Sequence, residues 1–453
     1  MFNAIYCTNS NKHKKTHSEN NYISNQQKMS YTGNNTPDFW KAVTLPARVH
    51  QIHRLVNQLY GVKSSSTLYW CPGPRPTPLS RGNMKQIVSE PYLITEKSDG
   101  LRMHLVLGKY SDGTTFAVMM DNRGSAYELL VFAPRVYFDG SMFDGELVVR
   151  RGVNRWSFLV FDIVALSGAS YLQENLIHRY KQLQKVFPMY VSLTDDYEEH
   201  ISRGGGGGGG GSGGGVDILK QLRDKAASGM IVYANANVEQ ERTHAAFSSS
   251  SSFSLSSSTA SSTSDGEDDC GVGSNNIQSN GSCQSIRFLV KSMLSFSKFT
   301  TLVRANQDLG HETDGFILTP VNAPVRVGTH PTCFKWKYEP SIDVRIVAHS
   351  HADIDIFVDD RGTNVLVENA MPNRIFRFQI TGQCALMPGQ PIIVECNVHK
   401  DKNIQNMYNL VYHRLRPDRT APNSISTFRA VMKEVDDEIT MEELEKAAQQ
   451  AIF

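Results

Sequence analysis

Glu96-Lys97-Ser98-Asp99-Gly100-Leu101-Arg102 sets a lysine where an apolar strand runs into a tight glycine turn, which puts its amine at the mouth of a sheet. An amine attacks an electrophile only when unprotonated, so a reactive lysine needs neighbouring cations or desolvation to lower its pKa. Lys-x-Asp-Gly alone fits many ordinary turns, and Asp99 before glycine shapes a turn without any chemistry. Other short runs add the missing parts. Phe143-Asp-Gly-Glu146, Phe158-Leu-Val-Phe-Asp162 and Thr313-Asp-Gly-Phe-Ile-Leu318 each set carboxylates beside a strand. Phe334-Lys-Trp-Lys337 directs Lys335 and Lys337 to one side of a strand, because strand side chains alternate with period two. Carboxylates suit the Mg²⁺ or Mn²⁺ that travels with a nucleoside triphosphate, and lysines neutralise a phosphoryl group in flight. These are the parts that phosphoryl transfer to a lysine requires.

Positioning them takes a sheet. From Pro91 to Val164 the chain reads as repeated short strands, YLITEK, LRMHLVLGK, TTFAVMMD, MFDGELVVR and WSFLVFDIVAL, divided by Gly, Asp and Ser, which predicts a largely antiparallel sheet. Pro46 to Tyr60 and Glu174 to Val186 carry apolar residues at helical spacing. After about Ser341 the pattern becomes strands alone, VRIVAHS, DIFVDD, IFRFQI and PIIVECNVH, with Gly and Pro turns, and predicts a small β-barrel. Thr440-Met-Glu-Glu443 is a capping-box signature opening a terminal helix, and the charge run Glu434 to Glu438 reads as its solvated lead-in.

With 46 Lys plus Arg against 45 Asp plus Glu in 453 residues, bulk charge does not hold nucleic acid, so any RNA contact needs a local basic surface. The seven cysteines form no CxxC pair, which argues against a zinc site or disulfide scaffold and predicts free thiols in a reducing compartment. No window approaches the roughly 20 apolar residues of a membrane span. Residues 1–38 are too polar to pack and are expected to form a disordered arm; a glycine tract at 203–216 and a Ser-rich, then acidic stretch at 247–285 read as insertions looped out of one domain.

The order KSDGLR, FDGELV, FLVFDIVALSG, TDGFILTP, FKWK and Arg416-Pro-Asp418-Arg419-Thr-Ala-Pro-Asn423 resembles the six-motif covalent nucleotidyltransferase superfamily of mRNA capping enzymes and DNA and RNA ligases, over roughly Tyr69 to Asn423. Trp70-Cys-Pro-Gly-Pro-Arg-Pro-Thr-Pro-Leu-Ser80, TDGFILTP, FKWK and the RPDRTAPN ending are similar to the capping branch; Arg419 stands where that family most often has lysine, a fork of donors in place of a point charge. The resemblance implies an α+β fold: an antiparallel-sheet nucleotidyltransferase domain of ATP-grasp/ligase-like kind at 39–342, an OB-fold β-barrel at 343–430, and a C-terminal helix at 431–453. It implies an mRNA guanylyltransferase passing GMP from GTP through lysyl-GMP to a 5′-diphosphate RNA end. The rival is an ATP-dependent RNA or DNA ligase using the same lysine with AMP.

By the same resemblance Lys97 is the nucleophile and Mg²⁺ or Mn²⁺ the metal. Glu96, Arg102, Glu146, Phe161, Lys335, Lys337, Arg416, Asp418 and Arg419 would bind nucleotide; Asp314 is a candidate for metal or for tuning the lysine, and Asp144 a metal candidate. Arg102 would hold the ribose or the RNA end, Glu146 the ribose hydroxyl, and Phe161 the guanine face, although a phenylalanine in so apolar a strand equally fits a core. Lys335 and Lys337 would contact the α-phosphate and lower the Lys97 pKa; Lys291, in RFLVKSML, is a further basic residue on a strand. The three barrel residues reach the lysine only if the domains close. No phosphatase loop precedes Tyr69, so a separate RNA 5′-triphosphatase is expected as partner, with the phosphorylated tail of RNA polymerase II as a docking site, the nucleus as location and no membrane.

Overall fold

The computed structural model describes residues 40–62, 73–129, 131–149, 156–188, 232–233, 286–306, 309–350, 353–380, 387–417 and 419–453. The expected N-terminal arm, both low-complexity insertions, Trp70 to Pro72 and Asp418 lie outside these residues.

The first sheet has the order β1-β6-β5-β4-β8-β9-β10, with β12 on β9. Its strands are β1 (Lys41–Ala42), β4 (Leu101–Lys109), β5 (Thr115–Asp121), β6 (Ala126–Glu128), β8 (Ser141–Val149), β9 (Trp156–Leu166), β10 (Ala169–Ser170) and β12 (Ile286–Val290). All its ladders are antiparallel except β12 on β9. The strands are nearly continuous in apolar residues because both faces are covered. Met103, Leu105 and Leu107 of β4 join one core, while Val106 joins another with Ile52, Val56 and Leu59 of helix α1 (Pro46–Leu59). A two-residue pair, β7 (Val131–Phe132) with β11 (Val232–Tyr233), forms its own ladder, with Val131 packed against the core of this sheet.

The second sheet runs β13-β3-β14-β15-β2, made of β2 (Pro74–Pro78), β3 (Tyr92–Ser98), β13 (Leu294–Ser295), β14 (Thr313–Pro320) and β15 (Gly328–Lys337). Helices α2 (Met84–Ser89) and α4 (Phe299–Asn306) pack on it; α3 (Leu176–Val186) packs on β9 of the first sheet. The α3 amine end is capped by the Asn175 side chain, which accepts from the His178 amide.

Beyond β15 the chain builds a third sheet, β18-β17-β16-β20-β21-β19, from β16 (Ser341–Ala348), β17 (Ile354–Asp360), β18 (Thr363–Leu366), β19 (Ile375–Gln379), β20 (Pro391–Lys400) and β21 (Met407–Leu415). This strand-rich unit is consistent with an OB-fold, and among the described residues its end strands β18 and β19 share no ladder. It is not made of strands alone. A short helix α5 (Val367–Ala370) and helix α6 (Ile425–Asp437) belong to it, and Phe428, Val431, Met432 and Val435 of α6 complete its core. The stretch 425–450, where a single terminal helix from 431 was expected, is two helices broken at Glu438, which takes a left-handed conformation (φ 42°). Helix α7 (Met441–Gln450) carries the capping box expected at Thr440 and Glu443 and buries Leu444, Ala447 and Ala448 against the second sheet's helices. The chain thus crosses between the two units twice, at 338–340 and 438–440. Trp336 fastens the crossings together by donating its indole N–H to Ile439 O at 2.9 Å.

Candidate active site

Lys97 sits at the end of β3 in register with Gly315 of β14, which is in register with Lys337 of β15. Asp314 is the residue in the irregularity of that ladder between Thr313 and Gly315. Gly315 has φ +153°, and a Cβ there would lie 2.0 Å from Trp336 O, so only glycine lets β14 lie this close to β15. The irregularity places the Asp314 carboxylate among the lysines: both oxygens accept from Lys97 Nζ, at 2.7 and 2.8 Å, and Lys337 Nζ lies 3.1 Å away. Burial pushes the Lys97 amine down, but Asp314 more than reverses this, and the net pKa lies above the ordinary lysine value. That corrects the expectation that Lys335 and Lys337 leave Lys97 poised at low pKa: in the resting site Asp314 holds its proton on. Lys335 is the lysine whose pKa falls, first through burial and then through Lys337.

Lys97 also forms the lip of a cavity between the two sheets, whose walls include Arg102, Glu146, Phe161, Lys291 and the Asp162–Arg179 pair. Phe161 faces the cavity rather than a core, with the Arg102 guanidinium 5.7 Å and Lys291 Nζ 6.0 Å from its ring centre. Arg102 is held by Asp144, with Nε and Nη2 at 3.0 and 2.5 Å from its two oxygens, and donates to Pro74 O at 2.6 Å. Gly73 makes room for it, since a Cβ there would meet Arg102 Nη2 at 2.7 Å. Asp144 is fully enclosed; burial alone would raise its pKa, but Arg102 and then His104 hold it well below the carboxylate range. Burial pushes Glu146 up to about 7 against the pull of Lys291, Lys97 and Arg102.

Glu96 does not line the cavity. It is buried behind it, paired with Lys291 at 3.4 Å and near His311 at 3.6 Å, so its contact with any ligand runs through Lys291. Burial works to raise its pKa, and Lys291 and His311 bring it below the usual value. Asp162, read from sequence as a carboxylate closing its strand, makes a buried pair at 2.7 and 3.1 Å with Arg179, which was not singled out and also donates to Glu174 O. Among the described residues no group of three or more His, Cys, Asp or Glu gathers as a metal would require, and the oxygens of Asp314 and Asp144 are engaged by lysines and by Arg102. The donor set does not make a resident metal site.

The OB-type unit meets this site through charged residues. Arg414 Nη2 lies 3.7 Å from Asp99, and Arg414 donates to Glu395 at 2.7 Å. Lys337 donates to Ser341 Oγ, which donates to Glu395. Burial raises and Arg414 and Lys337 lower the Glu395 pKa, to about 2. Arg416 and Arg419 lie in this unit, tied to Asp343 at 2.8 and 3.1 Å; Arg416 also reaches Glu395 at 3.3 Å. Glu434 corrects a sequence reading. Expected in a solvated lead-in, it is 9% exposed on α6, with Oε1 lacking a hydrogen-bond partner. The signal was present: Glu434 follows Val431 by three residues, beside the buried stripe of the helix.

A lysine clasped by a carboxylate at the lip of an interior cavity, on two packed sheets followed by an OB-type unit, defines a nucleotidyltransferase. The chain belongs to the mRNA capping enzymes: the family's catalytic domain matches residues 41–202 and its C-terminal domain residues 366–445. It is similar to the mRNA-capping enzyme subunit alpha of Neurospora crassa, 22% identical over 427 residues, covering 83% of this chain and 84% of the relative. Among solved structures it matches mycobacterial DNA ligase D complexed with ATP and MES (10% identity, 76% of this chain, 94% of the other, TM-score 0.32). A second match is the ligase domain of a Mycobacterium tuberculosis ligase (11%, 76% and 96%, TM-score 0.27). These two likenesses are too loose to carry an argument about activity.

Proposed function

We propose that the protein is an mRNA guanylyltransferase with Lys97 as its nucleophile. The observation that carries this reading is the clasp of Lys97 by Asp314 beside Lys337, at the lip of a cavity walled by Arg102, Glu146 and Phe161. Guanine stacks on Phe161, Glu146 accepts from the ribose, and the phosphates lie over Lys97 toward Lys335 and Lys337. The Lys97 Nζ lone pair forms a bond to the α-phosphorus, the bond from that phosphorus to the bridging oxygen breaks, and pyrophosphate leaves with the electron pair. Before attack the amine loses its surplus proton to solvent, against the hold of Asp314, whose carboxylate keeps the resting Lys97 protonated. In the second half an oxygen of the β-phosphate of a 5′-diphosphate RNA attacks the same phosphorus, and Lys97 departs and recovers a proton. Lysine charge offsets the negative charge gathering on the phosphoryl oxygens. A divalent cation belongs to the substrate here, arriving on the triphosphate of GTP. Asp144 serves as the counter-ion that aligns Arg102, and Arg416 and Arg419 approach the β and γ phosphates when the OB-type unit closes.

A 5′-diphosphate end presupposes a triphosphatase. The similarity to a protein named as a subunit alpha supports a separate triphosphatase chain as partner, and capping of nascent transcripts supports the nucleus and the phosphorylated polymerase tail as its setting. The test is incubation with α-labelled GTP, or separately ATP, followed by a denaturing gel. Label from GTP that is lost in Lys97→Ala, with the variant still folded by its melting transition, is the expected result. Persistent label on Lys97→Ala means another nucleophile, and label from ATP alone means a ligase.

A further inference from the structure

Glu434 is a buried carboxylate with one oxygen unpartnered, a rare state for a charged group in a folded protein and one that calls for an explanation. It comes from α6 of the OB-type unit, yet the charged groups that act on it belong to the other unit. Lys335 and Lys337 of β15 attract it, Asp314 of β14 repels it, and Lys97 of β3 attracts it more weakly. The neighbouring strands β16, β17 and β20 present apolar side chains to α6, including Val344, Val358 and Val394. Helix α6 also packs on β2, which pairs with β15 at Lys335. Lys335 itself lies next to Lys337, two cations together with Asp314 bonded to Lys97 and Lys337.

Resting on the guanylyltransferase reading, we propose that Glu434 is a carboxylate stand-in for a phosphate group: in the nucleotide-free site its buried, unpartnered charge lies within electrostatic reach of Lys335 and Lys337 without pairing with either, and a phosphate of GTP, or pyrophosphate, takes over their neutralisation. An arriving phosphate meets the carboxylate as a like charge, so Glu434 weakens phosphate binding and helps pyrophosphate leave. Release of pyrophosphate is what makes the lysyl-GMP step run forward, which gives the cell a use for the contact. Burial pushes Glu434 up to about 7 while Lys335 and Lys337 pull it down, so it carries its charge only in part at neutral pH. Phosphate binding drives it toward the neutral form and takes up a proton.

The test measures inorganic pyrophosphate binding by calorimetry to the full chain and to Glu434→Gln, Glu434→Asp and Glu434→Ala, which needs no covalent chemistry. Glu434→Gln is expected to bind about tenfold more tightly at pH 8 and nearly as wild type at pH 6, the gain tracking ionisation of the carboxyl. Comparing the two proteins at each pH cancels the titration of pyrophosphate itself. Glu434→Asp keeps the charge and is expected to stay close to wild type, and the KM for GTP in the labelling assay falls in Glu434→Gln. Equal affinity of wild type and Glu434→Gln at pH 8, or a Glu434→Asp that matches Glu434→Gln, overturns the proposal and leaves Glu434 a packing residue. Should Glu434→Gln fold poorly, Glu434→Ala gives the same comparison. Absence of GTP label on the wild type sinks the guanylyltransferase reading by itself, whereas the pyrophosphate comparison still decides the role of Glu434.

Discussion

Asp144→Asn separates a counter-ion from a metal ligand. Asp144 has 1% of its side chain exposed and Arg102 17%, and the two meet through a paired contact at 3.0 and 2.5 Å with His104 at 3.5 Å. Breaking a buried ion pair by removing one charge costs about 3–5 kcal/mol. Here Asn retains one acceptor oxygen and Arg102 keeps its bond to Pro74 O, which brings the expected loss to about 2–3 kcal/mol, or roughly 4–10 °C in melting temperature for a unit of this size. The pH dependence has a definite sign. The folded Asp144 pKa lies below the unfolded one, so its contribution is complete above the unfolded value of about 4 and fades as pH falls through the folded value. Thermal melts from pH 8 to pH 3 are therefore expected to show a constant gap between wild type and Asp144→Asn above about pH 5 that narrows below about pH 4. GTP labelling should fall in the same variant, because Arg102 loses its alignment over Phe161. A variant that melts like wild type at pH 7, or whose labelling is restored by raising Mn²⁺, refutes the counter-ion argument.

Glu146→Gln works the other way. The folded pKa near 7 lies above the unfolded value, so this half-buried carboxyl costs stability as pH rises from about 4 to 7 and carries its full cost above that; the variant is expected to gain about 1–2 kcal/mol at pH 8 and nothing at pH 4, while GTP binding weakens. Equal melting curves at pH 8 would show that Glu146 is not desolvated. Trp336→Phe removes the donor to Ile439 O at the double crossing and is expected to cost about 1–2 kcal/mol with the first and second units still folded, read from melts, and to shift domain opening in small-angle scattering. No change in either measurement means the indole bond does not secure the crossings.

The strand and helix pattern was legible because it is local. LRMHLVLGK and WSFLVFDIVAL are strands by their run of apolar residues whatever their neighbours, and Thr440 with Glu443 is a cap by spacing alone. Strand alternation also put Lys335 and Lys337 on one side. Local pattern misled at 434–438, where charge was read as solvation although the apolar stripe Phe428, Val431, Met432, Val435 marks a buried helix.

What the sequence by itself determined is the chemistry available: a lysine before a glycine turn, carboxylates on separate strands and paired lysines, in an order that names the family. What only the tertiary structure decided is which of these groups meet. Asp314 lies 217 residues from Lys97, and their contact depends on a ladder irregularity beside Gly315. Asp144 is spent on Arg102 instead of a metal, Glu96 lies behind the cavity, and Glu434 reaches the lysines from another unit. The reason is physical: side-chain identity is written residue by residue, but burial, and with it the sign and size of each pKa shift, belongs to surfaces that several distant segments build together.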